Sequence, residues 1–450
     1  MNKLIRLWGN LRSSFWFMPS LMIASSIVLA LLLIDADTVA SDRWLGQWPH
    51  LFGVGADGAR EMLSTLAGSM MTVMGITFSM TLLALSLASA QYSSRVLRNF
   101  MRNHTTQLTL GVFASIFAYC LIVLRTIRGS GGVGEFVPSI AVFLAFVMSL
   151  GGIGILIYFI HHIASSIQAS NIIATVAEET NASIDRLLPE EPQQHSAEPS
   201  VSNHGLEVLD ARIWYPIAAA KSGYIQSADI AVLMKVAQEH KTIVRMEHGV
   251  GAFVVQGTPL VSLALTFAPE RYIASALNAA YSVGRYRMVE LDPAFGIRQI
   301  VDIALKALSP GINDTSTAVI CVDYLSSILA RLAGRQFPPV HHYEDDTLRV
   351  IALAPSFEGL LTEAFDQIRA NAQTNVALLL RMLSGFSAIA SLTTKPSHIR
   401  ALDDQQRWIA ELVERCIESS HDRALLKRRL ADVGETLKTK TSFSVEEEQG

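Results

Sequence analysis

Apolar positions follow two regimes along this chain. As far as residue 160 they gather into four long runs, at residues 15–34, 62–92, 108–124 and 137–160, none with an Asp, Glu, Lys or Arg in its interior. Each is long enough to cross a hydrocarbon core as a helix. Beyond residue 160 apolar and polar residues interleave at helix or strand spacing, the pattern of a water-exposed fold. A cleaved signal peptide is the rival reading of the first run. That run is long and aromatic-rich, and Asp35 and Asp37 follow it where a small-residue cleavage site would stand. It is read as a membrane helix.

Basic residues set the orientation. Lys3, Arg6 and Arg12 precede the first run, and Arg95, Arg98 and Arg102 follow the second. The positive-inside rule then places residues 1–14, the loop after the second run and everything after His161 in the cytoplasm, with Arg125 and Arg128 weighing against this. Intramembrane charges mark coupled pumps, so their absence from the four runs leaves passive conduction or no transport.

The second run differs from the others in content. On a helix, Thr65, Ser69, Thr72, Ser79 and Ser86 share one face, continued by Ser93, with Gly68, Gly75 and Ser89 beside it. Such a face has two readings. It lets neighbouring helices pack closely, or it lines a wet path that leads to Arg95 and Arg98.

The remainder divides by pattern. Residues 161–188 continue as a helical extension, and 189–204, rich in proline and polar residues, read as a linker. Residues 205–268 alternate like strands around one helical piece, Ile230 to Lys241. Within them Gly249 to Leu260, GVGAFVVQGTPL, resembles the closing strands of barrel-sandwich hybrid domains of the lipoyl and biotinyl-carrier type. The modified lysine of such carriers has no counterpart, since Lys235 lies in helical sequence; the likeness implies shape, a module for packing or binding. Residues 269–333 are helical and carry Arg298, Asp302 and Lys306 at steps of four, then the breaker Ser309-Pro310-Gly311. After that breaker Asn313 or Asp314 can cap the next helix. The other reading makes Ser309, Gly311, Asn313 and Asp314 an anion or ligand site at a helix N-terminus. A second linker at 334–347, a helical region at 348–437 and a disordered tail at 438–450 complete the chain.

Composition narrows the function. Of 450 residues 50% are hydrophobic and 17% charged, with a net charge of −4, so there is no basic footprint for nucleic acid. Cys120, Cys321 and Cys416 stand far apart, and His161, His162, His341 and His342 have no further ligands at metal spacing. No phosphate loop, dinucleotide fingerprint, metalloprotease helix or nucleophile elbow occurs. The expectation is a protein that is not an enzyme and uses no cofactor or metal.

Two phrases carry a family resemblance. Gln91 to Phe100, QYSSRVLRNF, is similar to a pattern Q-F-S-P-R-x-L-x-x-F, and Ala307 to Ala318 to A-L-S-P-G-x-N-D-P-x-T-A. Ser94 and Thr315 replace its prolines. The chain thereby resembles a family of bacterial inner-membrane proteins labelled only as a domain of unknown function. That likeness implies a multi-pass inner-membrane location and no particular chemistry.

The expected fold is a polytopic α-helical membrane protein with four transmembrane helices. A cytoplasmic α+β region, with a small barrel-sandwich-like β module and a helical C-terminal part, completes it. The expected function is a homo-oligomeric passive ion channel favouring small anions; the alternative is a membrane-anchored scaffold or sensor.

Overall fold

The computed structural model describes residues 16–39, 55–91, 104–128, 136–166, 168–190, 213–265, 268–393 and 395–447. The chain is mostly helical and divides into two compact units, Met1–Ile172 and Ile173–Gly450. The basic N-terminus expected at 1–14, nearly all of the 189–204 linker, and Ser93, Arg95, Arg98 and Arg102 lie outside the described residues.

The first unit is built from α1 (Phe17–Val39), α2 (Ala56–Gln91), α3 (His104–Thr126) and α4 (Ser139–Ser166). Each of the four apolar runs is one of these helices, and each helix continues past its run. α1 reaches beyond Asp35 and Asp37, and α2 begins six residues before its run with Asp57, Arg60 and Glu61 in its first turns. α3 is central, with the other three helices packed on it. Phe113, Ile116, Tyr119, Cys120 and Val123 of α3 are buried against Ala30, Leu63, Ala67, Met70 and Ala145. Close approach needs small residues at two points: a Cβ on Gly111 would stand 2.6 Å from Met22 Sδ, and one on Gly152 3.3 Å from Ile116. Polar ties reinforce the bundle. The Tyr119 hydroxyl donates to the Ala141 carbonyl at 3.0 Å, and Arg60 donates to the Ile127 carbonyl at 3.1 Å.

The second unit opens with α5 (Ala169–Leu187), whose first residues precede the unit boundary, and continues into two sheets. Strands β1 (Tyr215–Ala218), β3 (Val244–Met246), β5 (Pro259–Leu263), β7 (His341–Glu344) and β8 (Thr347–Ile351) form one in the order β1-β5-β3-β8-β7. The second sheet has β2 (Gly223–Ala228) between β4 (Phe253–Val254) and β6 (Tyr281–Gly284). All pairs are antiparallel except β3 with β8, where Val244 stands beside Val350. α6 (Ile230–Glu239) and α7 (Arg271–Ala279) add Leu233, Val236, Ile273 and Leu277 to the core formed by Ile225, Val244, Val261, Leu263 and Val350. The GVGAFVVQGTPL stretch supplies β4 and the start of β5, one in each sheet.

The β region is thus larger than residues 205–268, because β6, β7 and β8 come from later segments. The stretch read as a second linker, 334–347, holds β7, and the helical region from 348 starts inside β8. Short apolar runs of this kind are ambiguous in sequence, and here the partner that decides, β3, lies a hundred residues upstream.

The remaining helices are α8 (Pro293–Ala307), α9 (Thr315–Ala333), α10 (Phe357–Ala372), α11 (Val376–Ser391), α12 (Pro396–Cys416) and α13 (Ser420–Glu447). Side-chain caps start several of them: Asp292, Asp314, Ser356 and Asn375 accept from the backbone N–H groups of Phe295, Thr317, Gly359 and Leu378. α13 replaces the tail expected to be disordered from 438 onwards. Val433 and Leu437 are buried, Lys440 donates to the Ser391 carbonyl at 3.1 Å, and the helix runs on to Glu447.

Among the described residues five helices are long and apolar enough to cross a membrane: α1 to α4, and α9 in the second unit. α9 differs from the other four in its surroundings. It packs on α8, α10 and α11, its Asp323 pairs with Arg381, and its Arg331 pairs with Asp185 at 2.7 Å. At its closest point to α11, a Cβ on Gly385 would stand 2.1 Å from Ser326 Oγ.

Candidate functional site

α2 has two opposite faces. At 100° per residue, Leu63, Ala67, Met70, Thr77 and Ala84 fall on one side, and all are buried. Thr65, Gly68, Ser69, Thr72, Gly75, Ser79 and Ser86 fall on the other side, and all are exposed. A Cβ built on Gly68 or Gly75 would meet nothing within 4 Å. Local hydrogen bonds absorb two of the hydroxyls: Ser69 donates to the Thr65 carbonyl at 2.7 Å, and Thr72 donates to the Gly68 carbonyl at 3.0 Å. Helix packing within the protomer therefore uses the opposite face of α2, and the hydroxyl face stays open to whatever surrounds the bundle. Ile76 and Leu83 stand within this face, and the bulky apolar side chains of Met71, Leu82 and Phe78 flank it.

The structure brings Thr65, Ser69, Thr72, Ser79 and Ser86 onto one surface. Arg95 and Arg98, proposed at its end, are outside the described residues. The four residues of the turn between α8 and α9 also come together, about a compact backbone. Asn313 takes a positive φ of 49°, its N–H and that of Ile312 both bond to the Ser309 carbonyl, and Asp314 N–H bonds to the Ala307 carbonyl at 2.8 Å. The Asp314 carboxylate accepts from Thr317 twice, from the backbone at 3.0 Å and from the hydroxyl at 2.6 Å. Those bonds hold its pKa below the ordinary aspartate value. Ser309 Oγ donates to the Lys306 carbonyl at 2.7 Å, and Gly311 is exposed. Of the two readings of this turn, the geometry displays the cap: the carboxylate is engaged in starting α9.

Among the described residues no group of three His, Cys, Asp or Glu side chains is placed to hold a metal ion. Two polar arrangements escaped the sequence reading. Asp37, counted there as lying beyond the first run, accepts from the backbone N–H groups of Ile140 and Ala141, both at 3.2 Å, and so caps the start of α4. The only sequence signal was an acid at a run's edge, which names no partner. In the second unit Arg335, almost fully buried, donates to Asp185 at 2.6 Å and to the Leu188 carbonyl at 3.2 Å, fastening the end of α5 to the end of α9.

The profile of a family described as a predicted membrane protein, DUF2254, matches residues 12–388. The chain belongs to that family. Both phrases that carried the resemblance lie inside the matched DUF2254 region. Uncharacterized proteins of Mycobacterium bovis and of two Mycobacterium tuberculosis strains are 31% identical to it over 435 residues, covering 95% of this chain and 81% of each relative. No solved structure matches the chain. DUF2254 membership and the apolar helices make this a membrane protein.

Proposed function

We propose that this DUF2254 protein is a homo-oligomeric passive ion channel with a preference for small anions, and not an enzyme. One observation carries the reading: among the described residues the hydroxyl face of α2 points away from the core of its own helix bundle, open to lipid or to other copies of the chain. Arranged around an axis, several copies of this face make a lining of hydroxyls and backbone, interrupted at Ile76 and Leu83. In sequence it leads to Arg95, Arg98 and Arg102, a cationic exit that favours anions over cations. In this reading α1 to α4 are the four membrane crossings of a bacterial inner-membrane protein with both termini in the cytoplasm. α9 is the core helix of a cytoplasmic regulatory region whose β part is of barrel-sandwich type.

Three things support the assignment of α9. It carries Asp323 and Arg331 in ion pairs, packs against three helices of its own unit, and begins at a side-chain cap. The scaffold or sensor reading needed a ligand at Ser309, Gly311, Asn313 and Asp314, and the engaged Asp314 carboxylate lowers its standing.

The test is flux from proteoliposomes of the full chain, with chloride and potassium gradients applied separately and Arg95→Glu beside the native protein. Chloride flux from the native protein, with selectivity shifted toward cations by the substitution, is the expected result. A folded oligomer that passes neither ion under any applied potential or pH would refute the channel.

A further inference from the structure

The hydroxyl face of α2 is not uniform along its length. From Thr65 to Gly75 every residue on it is small: Thr65, Gly68, Ser69, Thr72 and Gly75. From there on, large apolar side chains enter the same sector, Ile76 and Leu83 near its centre and Leu87 at its edge beside the azimuth of Ser69. Ile76 lies four residues after Thr72 and Leu83 seven after Ile76, so at 100° per residue the three stand within about 40° of one another. Neither is used by the protomer: Ile76 is 52% exposed and Leu83 61%. Ser79 and Ser86 sit beside them, each three residues further along the helix. The two apolar levels are about 10 Å apart along the helix axis.

We propose that Ile76 and Leu83 are the gate of the α2 path. The proposal rests on the channel reading above and adds its regulation. With several copies around an axis, the Thr65–Gly75 half forms a wide vestibule, since nothing there extends past a hydroxyl or a methyl group. Ile76 and Leu83 then form two successive apolar rings. Water leaves a narrow apolar neck, and an ion cannot pass a dry one, so these rings close the path without a charged plug. A small rotation of α2 about its axis swings Ser79 and Ser86 toward the centre in place of Ile76 and Leu83, because each serine lies about 60° away from its apolar neighbour. The neck then rewets.

Full-length protein is reconstituted in proteoliposomes, and chloride flux is compared for the native chain, Ile76→Ser, Leu83→Ser and the conservative Ile76→Val. In parallel, Thr72→Cys and Ser86→Cys, made in a Cys416→Ser background because Cys120 and Cys321 are buried, are exposed to a membrane-impermeant thiol reagent supplied on both sides of the membrane. The expected result is modification of both new cysteines, severalfold higher flux in each serine variant, and near-native flux in Ile76→Val. If both cysteines react and the native chain conducts while the serine variants conduct no better, the path stands and the gate is overturned. If neither cysteine reacts and no variant conducts, the path itself falls and the gate with it. Thr72, Ile76, Leu83 and Ser86 are all exposed in the protomer, so loss of fold is not expected; the elution volume of each variant in detergent checks this.

Discussion

α2 and α9 are both apolar enough to cross a bilayer, both carry hydroxyls and small residues, and they treat those groups in opposite ways. On α9 polar atoms are tied into the fold: Asp314 caps its start, Asp323 and Arg331 make ion pairs with neighbouring helices, and Ser326 faces Gly385 at the closest crossing. On α2 the buried face is nearly all apolar, and the hydroxyls look outward. Hydropathy measures how much apolar surface a helix has, and not what covers it. In water an apolar helix must be wrapped by other protein, whereas in a membrane helix packing gains nothing from excluding water, and polar groups can mark the side meant for something other than lipid.

The sharpest way to break this comparison is to truncate one leucine on each helix. Leu325 of α9 is wholly buried, so Leu325→Ala should cost about 2–5 kcal/mol. Leu83→Ala on the open side of α2 should change the stability of the detergent-solubilised protomer by less than about 0.5 kcal/mol. Thermal unfolding of the two variants in the same detergent gives the contrast directly, and a comparable loss from Leu83→Ala would show that the α2 face is packed after all.

Proton uptake offers a second lever, confined to the second unit. His398 is buried, its ring stacked 4.0 Å from that of Phe357 and its Nδ1 3.0 Å from Thr393 Oγ1. Burial, aided by the charge of Lys395, depresses its pKa to about 4. The unfolded chain takes up this proton near pH 6.5 and the folded one only near 4, so the stability from the neutral ring is full above pH 6.5. It is lost as the pH falls toward 4, in all on the order of 3 kcal/mol. Denaturant unfolding at pH 7 and pH 4.5 should show the loss for the native chain and a smaller one for His398→Leu. A pH slope unchanged by the substitution would assign it to other groups.

Smaller effects sharpen the same contrast. Asp314→Ala removes a cap and should lower the unfolding midpoint of the second unit by the equivalent of about 1 kcal/mol. Thr72→Ala on α2 removes a hydroxyl that donates within its own helix and should leave the protomer within about 0.5 kcal/mol of native. Any flux change in that variant then reports on the path and not on the fold.

The sequence made part of this plain. Four uncharged runs became four helices, since nothing else satisfies backbone hydrogen bonding across so long an apolar stretch. The period of the hydroxyls put Thr65, Ser69 and Thr72 on one face, and the cap at Asp314 followed from a breaker preceding a helical pattern. What stayed hidden depended on contacts distant in the chain. Asp37 reads as an acid after a membrane run until α4 presents its N–H groups a hundred residues later. His341 to Glu344 reads as linker until β8 and β3 stand beside it. The outward direction of the α2 face was undecided for the same reason: periodicity shows that two faces exist, and only the position of α3 shows which one is inside.

The parallel pairing of β3 with β8 sets the order in which the second unit can be completed. β3 leaves the ribosome with β5 and can pair with it at once, but its other partner follows about a hundred residues later, after α8 and α9. Until then the five-stranded sheet lacks two strands, and the growing chain carries β3 with one row of backbone N–H and C=O groups unmatched. Such a row is a template for pairing with a second nascent chain.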